Sequence, residues 1–565
     1  MIQELVEFGK RVTKGKSMAL KEEPFVIDLV INEEGEFQRF IVGEKRTIET
    51  EVLTAKKGKA RFLLDKSEEV LGIGEGAEKK HKLFMKKLEL FRGVQSLDPI
   101  FKFYDENNEN GIKKSVLLFE KLDKKAQKEN MTFMVDTTRL LERDEIRNAI
   151  IEKYAKNERK LSNGKICSIC GTSNSPVLDE PHGLVKMPKG QTAGCALISY
   201  NENAFESYGL KGNLNSSICR DCARNYIEGL RFLLSDGYNV EGDDKQKAHF
   251  HYNHRIKISD NTVVLFWTRE DTDVLDPFSV YDTPDATEIK NLFDSVWNGK
   301  QDIGSVVDTN MFYTCTLSSA AARIAVRDWT AICLGEYKKN LAEWFQDIEM
   351  VNNTGELTYS PLKWLINATQ RDKKTGEKIK ADLNSRTRIG TILWNASIRG
   401  HSYKIPLEVL QYVLNRIWKK DKFSLERAAL IKLVINRNTN KNMKSTLEET
   451  NTSVAYLCGR LFAVIEAMQW KAIGNVNNGV KERYFAATAS QPSILGTLLT
   501  KNVPIYQHKI GGYLAKELNE IAGRISEVGS FPQRFTTIEQ GEFALGYYFQ
   551  RNHKKDNDNQ DNINS

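Results

Sequence analysis

Two cysteine pairs, Cys167-Ser-Ile-Cys170 and Cys219-Arg-Asp-Cys222, are the residues of this chain whose type and spacing carry the clearest chemistry. A tight i, i+3 knuckle aims two sulfurs at one point, and two such knuckles supply the four thiolates of a tetrahedral zinc site. Four sulfurs close the shell, so the zinc is expected to be structural. The 48 residues between Cys170 and Cys219 exceed a minimal zinc ribbon, so the site should pin the two ends of a subdomain together. The bland alternative is two unrelated pairs in core or redox roles.

Other candidates are charged. Residues 54 to 87 hold ten Lys/Arg, among them Lys56, Lys57, Lys59, Arg61 and Lys66, against five acids. Such a run is a solvated helical face as readily as a nucleic-acid contact. Within it Gly72-Ile-Gly-Glu-Gly-Ala77 matches a dinucleotide fingerprint, but no strand of useful length enters it and no βαβ pattern surrounds it. Arg386, Arg388 and Arg399 flank the helix-like stretch Ile389 to Ile398 and could hold a nucleic-acid backbone or make intramolecular ion pairs. His249, His251 and His254 lack a carboxylate at a spacing that completes a metal site and are expected to be core or surface histidines. No GxxxxGK[ST], HExxH or GxSxG motif occurs.

The elements that must position these residues are those of an α+β protein. At 565 residues the chain exceeds one hydrophobic core, and 40% hydrophobic with 28% charged residues is ordinary for a soluble protein. No stretch has the roughly 18 apolar residues of a membrane span. An acidic N-terminus unlike a secretion signal, and eight cysteines without a disulfide framework, suggest the cytoplasm. The net charge of +7 does not by itself indicate nucleic acid. Phe25 to Ile31 and Phe37 to Val42 predict one hairpin, Arg255 to Ser259 and Thr262 to Trp267 another. Ser318-Ser319 reads as an N-cap before a helix from Ala320 to Ile332, with Arg323 and Arg327 on one face beside Trp329. Tyr337 to Val351 continues helical, and Leu457, Leu461, Val464, Ile465 and Met468 form the stripe of a helix from Asn451 to Trp470. The expected domains are 1–155, α+β; 156–310, the zinc-knuckle and hairpin subdomain; 311–425, helical; 426–552, a helical bundle; and 553–565, a disordered tail.

Phe205-Glu-Ser-Tyr-Gly209 with Asn213-Leu-Asn215, Leu317-Ser-Ser-Ala-Ala-Ala-Arg323 with Arg327-Asp-Trp329, Gly459-Arg-Leu-Phe462, Arg483-Tyr-Phe-Ala-Ala487 and Glu539-Gln-Gly-Glu-Phe-Ala-Leu-Gly-Tyr-Tyr548 follow one another in a familiar order. Spanning nearly the whole chain, the set resembles the large subunit of the type I-C CRISPR surveillance complex, Cascade. The four-cysteine module departs from that pattern, since many members lack it. It points to a divergent branch or to a neighbouring type I subtype.

The resemblance implies binding rather than catalysis. In such complexes guide RNA pairing reads the target, while protein reads a short PAM on the duplex and helps open it. The large subunit would touch the PAM, start the R-loop and dock the helicase-nuclease. Its partners would be the guide-bearing backbone and guide-end subunits, the small subunits, the target duplex and the displaced strand. Lys59 and Arg61 become the expected PAM contacts, on a flexible loop from Thr54 anchored by Phe62, Leu63 and Leu64, with Lys56, Lys57 and Lys66 on phosphates. Arg61 and Lys66 stand where the family more often has Asn, so base preference does not carry over. Small subunits of these systems resemble the C-terminal domain and arise from an internal start. Met443, opening a 123-residue segment, is the candidate start here, with Lys481, Arg483 and Lys509 as possible strand contacts. The rival reading is a zinc-dependent nucleic-acid-processing enzyme using Asp221 or His182, which needs an open metal position. A zinc-bearing transcription regulator lacks a recognition-helix pattern.

Overall fold

In the computed structural model the chain divides into two compact units, one of Met1–Val185 with Ala196–Phe232, the other of Lys186–Cys195 with Leu233–Ser565. The structure describes residues 1–14, 17, 19–52, 60–74, 76–160, 166–173, 182–200, 202–242, 248–271, 281–282, 284–297, 309–372, 383–419, 421–474, 478–509 and 512–553, with backbone alone for 155–160, 213, 297 and 383. The tail expected to be disordered lies, from residue 554, outside them.

In the first unit the β-branched and aromatic run after Pro24 forms β1 (Leu20–Ile31), which pairs antiparallel with β2 (Phe37–Glu51), as the sequence predicts. Asn32 makes the turn, its Oδ1 accepting from the amides of Glu34 (3.1 Å) and Glu36 (2.8 Å). With β3 (Leu64–Asp65), β4 (Met131–Val135) and β5 (Thr138–Arg139) they make a sheet of order β2-β1-β4-β3, in which β4 lies parallel to β1 and β5 pairs with β4. Ile27, Leu29 and Ile31 alternate into a core shared with Phe62, Leu97, Phe103 and Phe133. Asp28 is 1% exposed because Arg46 (2.9 Å) and Arg139 (2.8 Å) close over it, both guanidiniums resting on the Phe25 ring. The strand before the glycine-rich Gly72 to Gly76 is the two-residue, antiparallel β3, so the fingerprint there is not part of a βαβ unit.

The second unit begins with β6 (Gly237–Val240) and β7 (His249–Tyr252), an antiparallel pair. β8 (Arg255–Ser259), β9 (Thr262–Thr268), β10 (Met311–Ala320) and β11 (Arg323–Cys333) form an antiparallel sheet in the order β11-β10-β9-β8. The hairpin around Asp260-Asn261 is thus present. The helix expected from Ala320 to Ile332 is not: β10 and β11 occupy that stretch, Ala320 pairing with Arg323 across a turn in which Ala321 has φ +50°. The Phe312-Tyr-Thr-Cys-Thr-Leu run supplies the β-formers, and its pairing on both edges outweighs the helix propensity of three alanines. Arg327 therefore lies on a strand, its Nε donating to Ser318 Oγ at 2.7 Å.

The Leu334–Ile348 and Leu383–Ile398 helices pack on the sheet: Phe312 stacks on Tyr337 at 4.1 Å, and Trp394 Nε1 donates to Thr314 Oγ1 at 3.1 Å. Helices then follow to Asn552. Val454–Ile473 is buried on all sides from Ala455 to Ile465, a central core helix rather than the one-sided stripe expected. Against Thr537–Asn552 it packs through two glycines. A Cβ on Gly459 would stand 1.9 Å from Phe543 O, and one on Gly546 2.1 Å from Tyr456 O, so only hydrogen fits at either position. These glycines belong to two of the motifs that carry the resemblance. Elsewhere in the second unit Asp347, buried, accepts from His401 Nε2 (3.1 Å), Arg437 Nε (2.5 Å) and Asn436 Nδ2 (3.0 Å). Met443 is 4% exposed in this core, its amide donating to Asn436 Oδ1 at 2.9 Å. The ten residues Lys186–Cys195 are tied to the β10–β11 turn, where Ser319 Oγ donates to Pro188 O (2.7 Å) and Cys195 Sγ to Ala321 O (3.2 Å).

Candidate metal centre and nucleic-acid interface

Backbone geometry builds the cysteine centre. The first knuckle closes on itself through Gly171 N to Cys167 O (2.9 Å) and Cys167 N to Thr172 O (3.0 Å). Ser168 N donates to Ser217 O at 2.7 Å, stitching it to the extended segment before the second knuckle. Cys219 precedes the Arg220–Ser235 helix and Cys222 sits in its first turn. Amides of Ile169 (3.4 Å) and Cys219 (3.3 Å) point at Cys167 Sγ, and that of Cys222 at Cys219 Sγ (3.5 Å).

All four Sγ atoms lie within 4.8 Å of one another, Cys170 and Cys219 at 3.8 Å. A tetrahedral Zn–S shell of about 2.3 Å bonds has edges of about 3.8 Å, so the donor set is at metal-binding distance. Burial pushes the Cys219 thiol up to about 11, with Cys222 opposing and Cys167 adding, and burial together with the neighbouring sulfurs raises Cys222. A divalent cation would reverse that tendency, and the amides aimed at sulfur favour thiolate.

Asp221 is exposed, and His182 is buried with Nδ1 2.9 Å from Tyr226 OH, burial pushing its pKa down to about 4. Neither belongs to the four-cysteine group, the only such cluster among the described residues. His251 instead stacks against Tyr238 at 4.8 Å, and His254 Nδ1 lies 3.2 Å from Phe266 O.

Between the knuckles, Phe205-Glu-Ser-Tyr-Gly209 forms a turn. Leu210 N donates to Ser207 O (2.9 Å), and Tyr208 (φ +54°) and Gly209 (φ +71°) both take the left-handed conformation. Asn215 braces it: Oδ1 accepts from Ser207 N (2.9 Å), while Nδ2 donates to Leu210 O (2.8 Å) and Gly212 O (2.9 Å). The sequence marks the motif without revealing this geometry, because a tyrosine at positive φ runs against its propensity.

Of the residues expected at the PAM, Lys56, Lys57 and Lys59 lie, with the loop from Thr54, outside the described residues. Their anchor is well formed. Phe62, Leu63 and Leu64 are buried, Phe62 stacks on Phe91 at 4.0 Å, and Thr50 and Thr132 donate to the carbonyls of Phe62 (3.0 Å) and Leu63 (3.1 Å). Asp65 accepts from the amides of Arg61 (3.0 Å) and Lys66 (3.1 Å), and burial outweighs these contacts and nearby cations to raise its pKa. Arg61 is half-buried, Lys66 exposed.

The other arginines engage their own chain: Arg386 with Asn367 Oδ1 (2.7 Å), Arg388 with Glu408 (2.9 Å), Arg399 with Asp328 (2.9 Å). Lys481 is half-buried over the Tyr547 ring at 5.4 Å, and burial, then Arg551, lowers its pKa. Arg483 and Lys509 are exposed. The Asp28 and Asp347 clusters are the polar centres that sequence reasoning missed, since their partners lie 18 to 111 positions from Asp28 and 54 to 90 from Asp347.

The fold and the site define a two-unit α+β protein with a four-cysteine knuckle centre. Within that class, the family model for CRISPR-associated protein (Cas_Csd1) matches residues 5–554, and the chain belongs to this family. No curated protein matches it. No helix among the described residues is long and apolar enough to cross a membrane.

Proposed function

We propose that this chain is the non-catalytic large subunit of a type I CRISPR RNA-guided DNA surveillance complex, of subtype I-C or a close neighbour, acting in the cytoplasm in antiviral defence. It reads the PAM on duplex DNA, helps start the R-loop and docks the helicase-nuclease. The observation that carries this reading is the family match, which runs through both units. The buried anchor at Phe62 to Leu64 supports the assignment of the preceding basic stretch to the PAM, because a firmly held base lets a short loop enter a groove with little loss of precision. The cysteine centre holds a structural Zn²⁺. Met443 starts a second, shorter product that serves as small subunit.

The test is binding of a duplex library, randomised beside a guide-matched target, to the reconstituted guide complex with and without this chain. One short flanking motif should be enriched only with the intact chain, and Lys59→Ala/Arg61→Ala should flatten it. With five phosphate contacts the log–log salt slope should be about −4.5. Equal binding with and without the chain would refute the PAM-reading role. Turnover of nucleic acid by the chain, lost in Asp221→Ala, would favour the enzyme reading.

A further inference from the structure

The Ser207–Leu210 turn spends conformational energy to present one side chain. Tyr208 is 101% exposed, with no packing among the described residues to offset its left-handed backbone, whereas a residue in that conformation normally gains from packing or is a glycine. Three hydrogen bonds from Asn215, and a fourth from Gly212 N to Glu206 Oε1 (3.3 Å), hold the backbone around it. Strain that surrounding structure over-determines, at a site with no packing reward, points to function.

The ring's chemistry narrows the partner. A tyrosine serving as a protein hot spot sits within an apolar patch that excludes water. Here Phe205 (40% exposed) and Leu214 (38%) are the apolar side chains that also reach the surface, each well short of full exposure, while Asn203, Ser207, Gly209 and Lys211 are small or polar; no patch closes over Tyr208, whose ring faces are open among the described residues. A flat, rigidly mounted aromatic with two free faces suits stacking on an unpaired nucleobase, or wedging beside the last intact pair of a duplex, with Lys211 available to a nearby phosphate.

We infer that Tyr208 is a base-stacking wedge, held at the tip of the Ser207–Leu210 turn, that caps an unpaired base of the bound nucleic acid. This rests on the reading of the chain as a subunit of a guide-RNA complex.

The experiment uses the reconstituted complex containing the full chain and target duplexes carrying 2-aminopurine at successive positions in and beside the guide-matched segment. The wild-type complex should quench the probe at one position, and Tyr208→Phe should preserve both quenching and affinity. Tyr208→Ala should abolish quenching there and weaken binding about tenfold, the scale of one base–aromatic stack. Asn215→Ala, which keeps the ring and frees the turn, should lose part of the quenching. Unchanged quenching and affinity in Tyr208→Ala overturns the inference while leaving the functional reading intact. Failure of a normally folded Tyr208→Ala chain to join the complex overturns it too, by making Tyr208 a protein contact. A wild-type complex that binds target no better than one without the chain overturns the functional reading and the inference with it.

Discussion

The glycine contact between the Val454–Ile473 and Thr537–Asn552 helices gives a sharp prediction. In Gly546→Ala the new methyl would stand 2.1 Å from Tyr456 O, and ordinary contact begins at 3.4 Å, so the helices must part by about 1.3 Å. A gap of 0.5–1 Å already forfeits a quarter to a half of each dispersion contact, each worth about 0.1–0.2 kcal/mol. The rings of Phe462, Phe543 and Tyr547, 6.0 and 6.1 Å apart across this seam, would lose that share together. Overpacking of this kind costs about 1–3 kcal/mol or more, against which alanine's helix propensity returns about 1 kcal/mol. A 2.1 Å approach to backbone lies at the severe end of that range, about 3 kcal/mol, which leaves a net loss of about 2 kcal/mol. Because the chain has two units, the readout should be local: hydrogen exchange of the Val454–Ile473 amides, expected to quicken about thirtyfold if opening is limited by this seam. Gly459→Ala should behave alike, and the double variant should cost clearly less than the two separately, since helices already parted accept the second methyl. Gly523→Ala is the control: nothing lies within 4 Å of its Cβ position, so exchange should slow. Exchange unchanged in Gly546→Ala, or strictly additive effects, would refute the reasoning.

Other outcomes follow from the charged and metal-binding groups. For Asp347, burial favours the neutral acid, but the His401 hydrogen bond, the Arg437 charge and the Asn436 contact outweigh it and hold the carboxyl below its ordinary range. Its contribution is therefore fully present above an unfolded pKa of about 3.9 and lost as pH falls through the lower folded value. Asp347→Asn should flatten that part of the acid-unfolding curve, and Asp347→Ala, stranding Arg437, should cost about 3–5 kcal/mol by urea denaturation. Elemental analysis should find one zinc per chain, lost in Cys219→Ser. Chelation should then speed proteolysis between Cys170 and Cys219 while leaving exchange in the Val454–Ile473 helix unchanged. Arg388→Ala breaks a pair between an exposed arginine and a half-buried glutamate and should shift stability by no more than about 1 kcal/mol in thermal unfolding, so a DNA-binding defect without a larger loss of stability would be direct.

How much of this was legible depended on whether a feature is local. The two CxxC pairs lie within four residues each, and knuckle geometry does the rest. β1 and β2 were readable because Phe25 to Ile31 is dense in β-formers and Asn32-Glu-Glu-Gly is a turn. The β10–β11 hairpin was misread as helix because alanines dominate its turn, and what fixes it is pairing with β9, some fifty residues upstream. Tyr208 could be marked only as part of a motif. Its left-handed backbone is braced by Asn215, a side chain whose bonding partners sequence periodicity does not reveal. The Asp28 cluster was invisible for the same reason: Arg139 reaches it across 111 positions.

The ten-residue excursion Lys186–Cys195 imposes an order on biosynthesis. It leaves the ribosome between two stretches of the first unit, yet its hydrogen-bonding partners at Ser319 and Ala321 follow 131 and 126 positions later. At 5–20 residues per second they emerge roughly 6–26 s afterwards. During that interval the first unit has received all of its chain, through Phe232, while the decapeptide still lacks these two partners. A nascent chain arrested before residue 319 therefore carries a finished N-terminal unit and an unsatisfied segment open to chaperones. The two units also cannot be separated by a single cut: expression from Leu233 onward omits Pro188 and Cys195, and with them the contacts that hold the β10–β11 turn.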